Sequence, residues 1–129
     1  MEKKIALLAC LTALVLIDAS GQISFHEKLK SLYRNSVPLI HPHELKSILE
    51  TGGKIILLDT RALEEYNVSH IENSRFIDYR RFNKQWAENI SRGTPIVVYC
   101  TVGYRSERIG EQLLGMGFSN VRNLYGGIF

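Results

Sequence analysis

The sequence predicts a single α/β domain with a mostly parallel central sheet and helices on both of its faces. Two unbroken apolar runs carry that reading: Ile55–Leu58, which ends in Asp59, and Pro95–Tyr99, which ends in Cys100. Runs of this length bounded by turn residues read as strands buried on both faces. Segments with helical spacing separate them, and strands alternating with helices imply crossover connections and a parallel sheet. In such sheets the ligand site lies beyond the carboxyl ends of the strands, where Asp59 and Cys100 fall.

The remaining elements follow in order. Phe25, Leu29, Leu32 and Tyr33 recur at helical spacing and suggest a short amphipathic lead-in, so residues 22–38 read as a helical linker or packing arm. Leu39-Ile40 is a brief extended stretch. Pro42 suits the first turn of a helix carrying Leu45, Ile48 and Leu49 that stops at Gly52-Gly53. After the first buried strand, Ala62–Tyr66 reads as one short helix, His70–Ser74 as a loop and Arg75–Tyr79 as a short strand. Phe82, Trp86 and Ile90, spaced i, i+4, i+8, predict a further amphipathic helix, which leaves Arg80-Arg81 as its solvated start. A helix after Cys100 places Ile109, Leu113, Leu114 and Met116 inward and is capped by Gly117. Val121–Leu124 supplies the last strand, and Gly126-Gly127 turns the chain.

Composition narrows the function classes. A chain of 129 residues holds one domain, with 45% hydrophobic residues to build its core. Sixteen Lys and Arg against thirteen Asp and Glu give a net charge of +3, too mild and too mixed to argue for nucleic acid. Only two cysteines, Cys10 and Cys100, exclude a disulfide-dense scaffold and a Cys-rich zinc site. His41 and His43, without a nearby carboxylate or thiol set, read as surface residues, so neither metal nor cofactor is expected.

The first residues stand apart. Lys3 and Lys4 precede the uncharged run Ile5–Ile17, and Ala19-Ser20-Gly21 follow at a plausible cut. The run is shorter than the roughly 20 apolar residues of a spanning helix, so residues 1–21 read as a signal peptide, with an uncleaved N-terminal anchor as the alternative. Leu7–Cys10 looks like a lipoprotein box, but the apolar run continues past the cysteine. The expected location is periplasmic or secreted, or membrane-anchored and facing outside the cytoplasm, with the membrane touched only through the N-terminus. Cleavage near Gly21 leaves Cys100 as the one thiol.

Tyr99-Cys100-Thr101-Val102-Gly103-Tyr104-Arg105-Ser106 concentrates the chemistry. A loop closing from Cys100 to Arg105 curls backbone N–H groups around the sulfur, and the following helix adds the positive end of its dipole. Both favour the thiolate, the nucleophilic form. Gly103 permits a backbone angle that a side chain resists. Arg105 offers a positive fork for an anionic sulfur donor or a persulfide, and Ser106 can cap the helix or donate to the sulfur. A lone cysteine at a strand end is commonly just a small buried residue. Gly, Arg and Ser following in this order argue for the nucleophile.

At these residues the chain resembles a rhodanese-like domain, a single-domain sulfurtransferase. The family's active loop, C-x-x-G-x-R-S, is similar to Cys100–Ser106 at every fixed position. Its first signature, Asp-x-Arg, then an acidic-aromatic segment and Gly-His-Ile, resembles Asp59-Thr60-Arg61, Glu64-Glu65-Tyr66 and Ser69-His70-Ile71. Its closing segment resembles Gly117–Gly127, so the likeness spans residues 39–129. It implies that the Cys100 thiolate takes a sulfane sulfur from a small donor such as thiosulfate or a persulfide, holds it as a persulfide, and yields it to cyanide, a thiol or a protein acceptor. Asp59 and Arg61 then organise the site by pairing, and His70 is structural. Ser69 stands where the family has Gly, and Asn73-Ser74 where it has Gly-Ala. Relatives continue past Gly-Gly into a final helix, so the resemblance implies a C-terminally short member that is less stable, or a truncated product.

Two rival functions remain. One is a non-catalytic rhodanese-like binding or sulfur-carrier module: an intact Cys100 argues against a dead module, but a carrier whose acceptor is another protein has the same sequence. A cysteine-dependent phosphatase or arsenate reductase also uses a thiolate and an Arg, but those enzymes place five residues between them to hold a tetrahedral oxyanion. Here there are four, a ring sized for one sulfur atom.

Overall fold

The computed structural model describes residues 23–129. The signal-peptide reading of residues 1–21 falls outside them. Among the described residues, no helix is long and apolar enough to cross a membrane. Helix α1 spans Phe25–Leu32. Its start is a reciprocal cap in which the Glu27 carboxylate accepts from the Ser24 N–H (3.1 Å) and Ser24 Oγ accepts from the Glu27 N–H (3.2 Å).

From Ser31 onward the chain builds five parallel strands: β1 (Leu39–Ile40), β2 (Ile56–Asp59), β3 (Arg75–Phe76), β4 (Ile96–Tyr99) and β5 (Val121–Leu124), in the order β1-β5-β4-β2-β3. Helix α2 (Pro42–Glu50) follows β1, α3 (Leu63–Val68) follows β2, and α4 (Tyr104–Gly115) joins β4 to β5. The two central strands are the apolar runs of the sequence. Every residue of β4 is buried, because the side chains on both faces meet a core. Ile96 and Val98 join Leu58, Ile109, Leu113, Phe118 and Val121 on one face; Val97 and Tyr99 join Ile40, Leu45, Leu57 and Leu124 on the other. Each such apolar side chain, fully buried, contributes about 1.5–3 kcal/mol. The register sets Asp59 opposite Tyr99, so β2 and β4 end together and the residues that follow them share one rim of the sheet.

Several elements differ from expectation. The helix expected over Phe82–Ile90 is replaced by two 3₁₀ turns, Tyr79–Arg81 and Lys84–Ala87. Asp78 and Asn83 cause this. Each side chain accepts the backbone N–H two residues on, from Arg80 (2.8 Å) and Gln85 (2.9 Å), and so restarts the chain in a tight turn. Phe82, Trp86 and Ile90 still pack against the α4-side core, so their spacing reports burial correctly and backbone incorrectly. Arg80 and Arg81 accordingly end a 3₁₀ turn rather than begin a helix. Strand β3 stops at Phe76 because Asp78 starts the first of these turns. Helix α3 begins one residue later than expected and runs to Val68, and on α2 Leu45 is buried while Leu49 is exposed.

Candidate active site

Cys100 follows the last residue of β4 and is buried. Its Sγ accepts the Gly103 N–H at 3.1 Å, and the Ser106 hydroxyl lies 3.5 Å away. Gly103 caps α4 with φ 97°, a left-handed angle that turns its N–H back onto the sulfur. The positive end of the twelve-residue helix α4 therefore starts beside the thiol. Ser106 does not cap this helix. Its hydroxyl sits 2.6 Å from Asn123 Oδ1 on β5, while Asn123 Nδ2 donates to the Gly103 carbonyl at 2.9 Å. One buried amide thus orients both groups that face the sulfur. Val102 supplies a backbone carbonyl to the site's support, and Tyr104 is exposed beneath the Arg108 guanidinium.

Arg105 does not hold its fork open. Its Nη1 donates to Glu65 Oε2 (2.7 Å), and its Nη2 donates to Glu65 Oε1 (2.9 Å) and Thr101 Oγ1 (3.0 Å). Thr101 in turn donates to Glu65 Oε1 at 3.1 Å. The Glu65 carboxylate also accepts the Ala62 N–H at 2.8 Å, which fixes it at the first turn of α3. Arg105 above all pulls the Glu65 carboxyl down to about 2, and pairing with Glu65 raises Arg105 in return. The pair stays ionised through the neutral range.

Asp59 and Arg61 form a second, buried pair. Arg61 Nη2 lies 2.7 Å and Nε 3.1 Å from Asp59 Oδ2; Nε and the Arg61 backbone N–H both reach Oδ1 at 3.0 Å. Hydrogen bonding to the Asp59 carboxylate is the chief reason the Arg61 guanidinium is held above its ordinary value. Arg61 Nη2 also donates to the Ser69 carbonyl (2.6 Å), so the pair pins the segment leading to β3. The departures from the family pattern are accommodated there. Ser69 is extended, a conformation open to any residue, while Asn73 takes φ 62°, which an Asn tolerates in place of Gly. The Ser74 hydroxyl meets the Tyr99 hydroxyl at 2.9 Å, and burial pushes Tyr99 up to about 12. His70 is exposed and stacked on Tyr66, with Nδ1 2.9 Å from the Tyr66 carbonyl. Among the described residues no group of three or more His, Cys, Asp or Glu side chains is placed to hold a metal.

Three supporting residues were not singled out by sequence. The Tyr33 hydroxyl donates to the Val102 carbonyl (2.6 Å) and accepts the Gly126 N–H (3.0 Å), tying the active loop to the closing turn. Burial raises Tyr33, so it remains a donor. Glu107, fully buried on α4, accepts the Arg34 N–H at 2.7 Å and pairs with Arg108 at 2.6 Å, which holds the chain just after Tyr33. Asn123 is the third. It is a polar residue on the inward face of β5, two positions from buried Val121, and a buried polar side chain is the informative kind of exception. Tyr33→Phe removes a donor and an acceptor at once, leaving the Val102 carbonyl and the Gly126 N–H unpaired. The expected cost is about 1–3 kcal/mol of stability and roughly tenfold in the rate of sulfur loading onto Cys100. Urea unfolding and stopped-flow loading measure the two, and values equal to the unmutated protein's would deny Tyr33 this role.

Comparison with known proteins places this geometry. The family described as "Rhodanese-like domain" matches residues 41–129. The chain is 38% identical over 92 residues to the tRNA uridine(34) hydroxylase of a Staphylococcus epidermidis strain, covering 67% of this chain and 28% of that protein. It is 29% identical over 103 residues to the adenylyltransferase and sulfurtransferase UBA4 of Candida albicans, covering 69% and 22%. The chain therefore spans under a third of these relatives. The solution structure of a rhodanese-like domain from Anabaena superposes with a TM-score of 0.64 at 27% identity, covering 70% of each chain. With the family match covering residues 41–129 and the fold superposing on a rhodanese-like domain, the chain belongs to the rhodanese-like domain family.

Proposed function

We propose that this domain is a sulfurtransferase that carries a sulfane sulfur as a persulfide on Cys100. The observation that carries the reading is the Gly103 N–H directed at Sγ, with the Ser106 hydroxyl and the start of α4 beside it. A backbone N–H and the positive end of a helix stabilise a sulfur anion both before and after the transfer, while the Ser106 proton is held by Asn123 Oδ1. With thiosulfate, the Cys100 thiolate attacks the outer sulfur, the S–S bond to the sulfonate breaks and its electron pair leaves with sulfite. Cyanide or a thiolate then takes the outer sulfur from Cys100–S–S⁻ and restores the thiolate. The word sulfurtransferase in the name of the Candida albicans relative supports the class of reaction. The order of Lys3-Lys4, an apolar run and small residues supports a setting outside the cytoplasm.

Incubation of the protein with thiosulfate and, separately, with glutathione persulfide, followed by intact mass measurement, tests the proposal. Cys100 is expected to gain about 32 Da, one sulfur atom, from at least one donor, and Cys100→Ser to gain nothing. Equal labelling of the Ser variant, or none of the folded wild type, would overturn the reading.

A further inference from the structure

We infer that Glu65 is a specificity-determining residue: by closing on Arg105 it biases the Cys100 site toward organic persulfides and against thiosulfate as the sulfur donor. The inference rests on the sulfur-transfer reading above. Its starting point is that Arg105, the cation of the active loop, turns its Nη1/Nη2 fork onto Glu65 and Thr101 while the same guanidinium also lies in reach of Cys100. The two donors differ in what they leave behind. When the thiolate attacks R–S–SH at its outer sulfur, the S–S bond breaks, R–S⁻ departs with the electron pair, and Cys100–S–SH keeps the proton. One negative charge develops on the leaving group. Thiosulfate leaves as sulfite with two charges, spread over three oxygens that call for a guanidinium fork. In this protein that fork is already filled by a carboxylate. A second anion brought to Arg105 meets the Glu65 charge, which the Ala62 N–H holds in place and which stays ionised because of Arg105 itself.

The space beside the loop is larger than thiosulfate needs. A groove of about 550 Å³ is lined by Arg105 with Arg61, Arg80 and Arg81, and by Glu64 and Asp78. That volume falls within the range of sites for small organic ligands. Thiosulfate would leave nearly all of it empty. A thiol whose organic part carries both amine and carboxylate groups can meet charges of both signs there.

The test compares the rate of Cys100 loading per unit donor for thiosulfate and for glutathione persulfide, in the wild-type protein and in Glu65→Gln. Gln keeps an oxygen for the Ala62 N–H but gives up the charge. The wild type is expected to load faster from the persulfide. In E65Q the thiosulfate-to-persulfide ratio is expected to rise about tenfold or more, the consequence of releasing one fixed charge from a partly buried pair. Glu65→Asp, which keeps the carboxylate, is expected to retain the wild-type preference. A ratio in E65Q within twofold of the wild type, with both donors loading, overturns the inference while leaving sulfur transfer intact. Failure of both donors on wild type overturns the sulfur-transfer reading and this inference with it. Should E65Q fail to fold, the wild-type comparison still decides, since thiosulfate as the better donor contradicts the role assigned to Glu65.

Discussion

Asp59→Ala is expected to lower the melting temperature by roughly 15 °C or more, the largest loss of stability of any single substitution considered. Asp59 is fully buried, and its carboxylate takes three side-chain contacts from Arg61 as well as the Arg61 backbone N–H. Removing one member of a buried pair leaves the other charge without compensation, which costs about 3–5 kcal/mol. For a domain of this size each kcal/mol is worth about 4–8 °C. The intact pair need not stabilise the fold by that amount, because its own desolvation offsets much of the attraction. The large effect belongs to the stranded guanidinium. Asp59→Asn keeps an acceptor for the Arg61 N–H and is expected to fall between wild type and Ala. Thermal unfolding followed by circular dichroism measures the series; a melting point for D59A within about 3 °C of wild type would mean that Arg61 finds water or another partner at no cost. The consequence for the site is indirect, since Arg61 also holds the Ser69 carbonyl and hence the loop that reaches Tyr99.

The parts of the site that were legible in sequence are those written in one local stretch. Two apolar runs announced β2 and β4, and Cys100 to Ser106 announced a thiol at a strand end beside a left-handed glycine and a helix start, all local events, although one N–H, that of Gly103, rather than a ring of them meets the sulfur. What was not legible depends on distant residues meeting. Glu65 closes on Arg105 from forty positions away, and Tyr33 reaches Val102 and Gly126 from 69 and 93 away. Helical spacing placed Tyr33 in the lead-in helix, whereas α1 ends at Leu32 and leaves Tyr33 in the segment that meets the loop. The 82–90 segment failed for a different reason. Its apolar period was genuine, but Asp78 and Asn83 offered the backbone N–H groups a nearer acceptor than a helix would. Asn123 carried a usable signal, a polar side chain in phase with Val121, that no motif assigned.

Gly127→Ala is expected to reduce sulfur loading at Cys100 by a hundredfold or more while leaving the two cores largely assembled. A Cβ at Gly127 would overlap the carbonyl oxygens of Cys100 and Thr101 and the Thr101 carbonyl carbon. These are backbone atoms, so no rotamer change relieves the contact. The chain cannot simply swing aside either, because the Ile128 N–H donates to the Cys100 carbonyl and the Phe129 N–H to the Thr101 carbonyl, both at 3.1 Å. The last residues are thereby tied to the first peptide units of the active loop, and any shift made to admit a methyl group moves the units that aim Gly103 N–H at the sulfur. Gly127 also has φ 61°, and a left-handed angle alone costs a non-glycine residue about 1–2 kcal/mol. Gly52 separates the two effects. It sits at φ 71° with nothing within 4 Å of its would-be Cβ, so Gly52→Ala carries the conformational penalty without the collision. Parallel measurement of melting temperature and loading rate in the two variants is expected to show a modest loss of stability in G52A from the backbone angle, a larger one in G127A where the collision adds to it, and a loss of loading confined to G127A. If G127A loads sulfur as fast as G52A, the tail does not govern the loop, and the alignment of Gly103 with Cys100 must depend on Tyr33 and Asn123 alone.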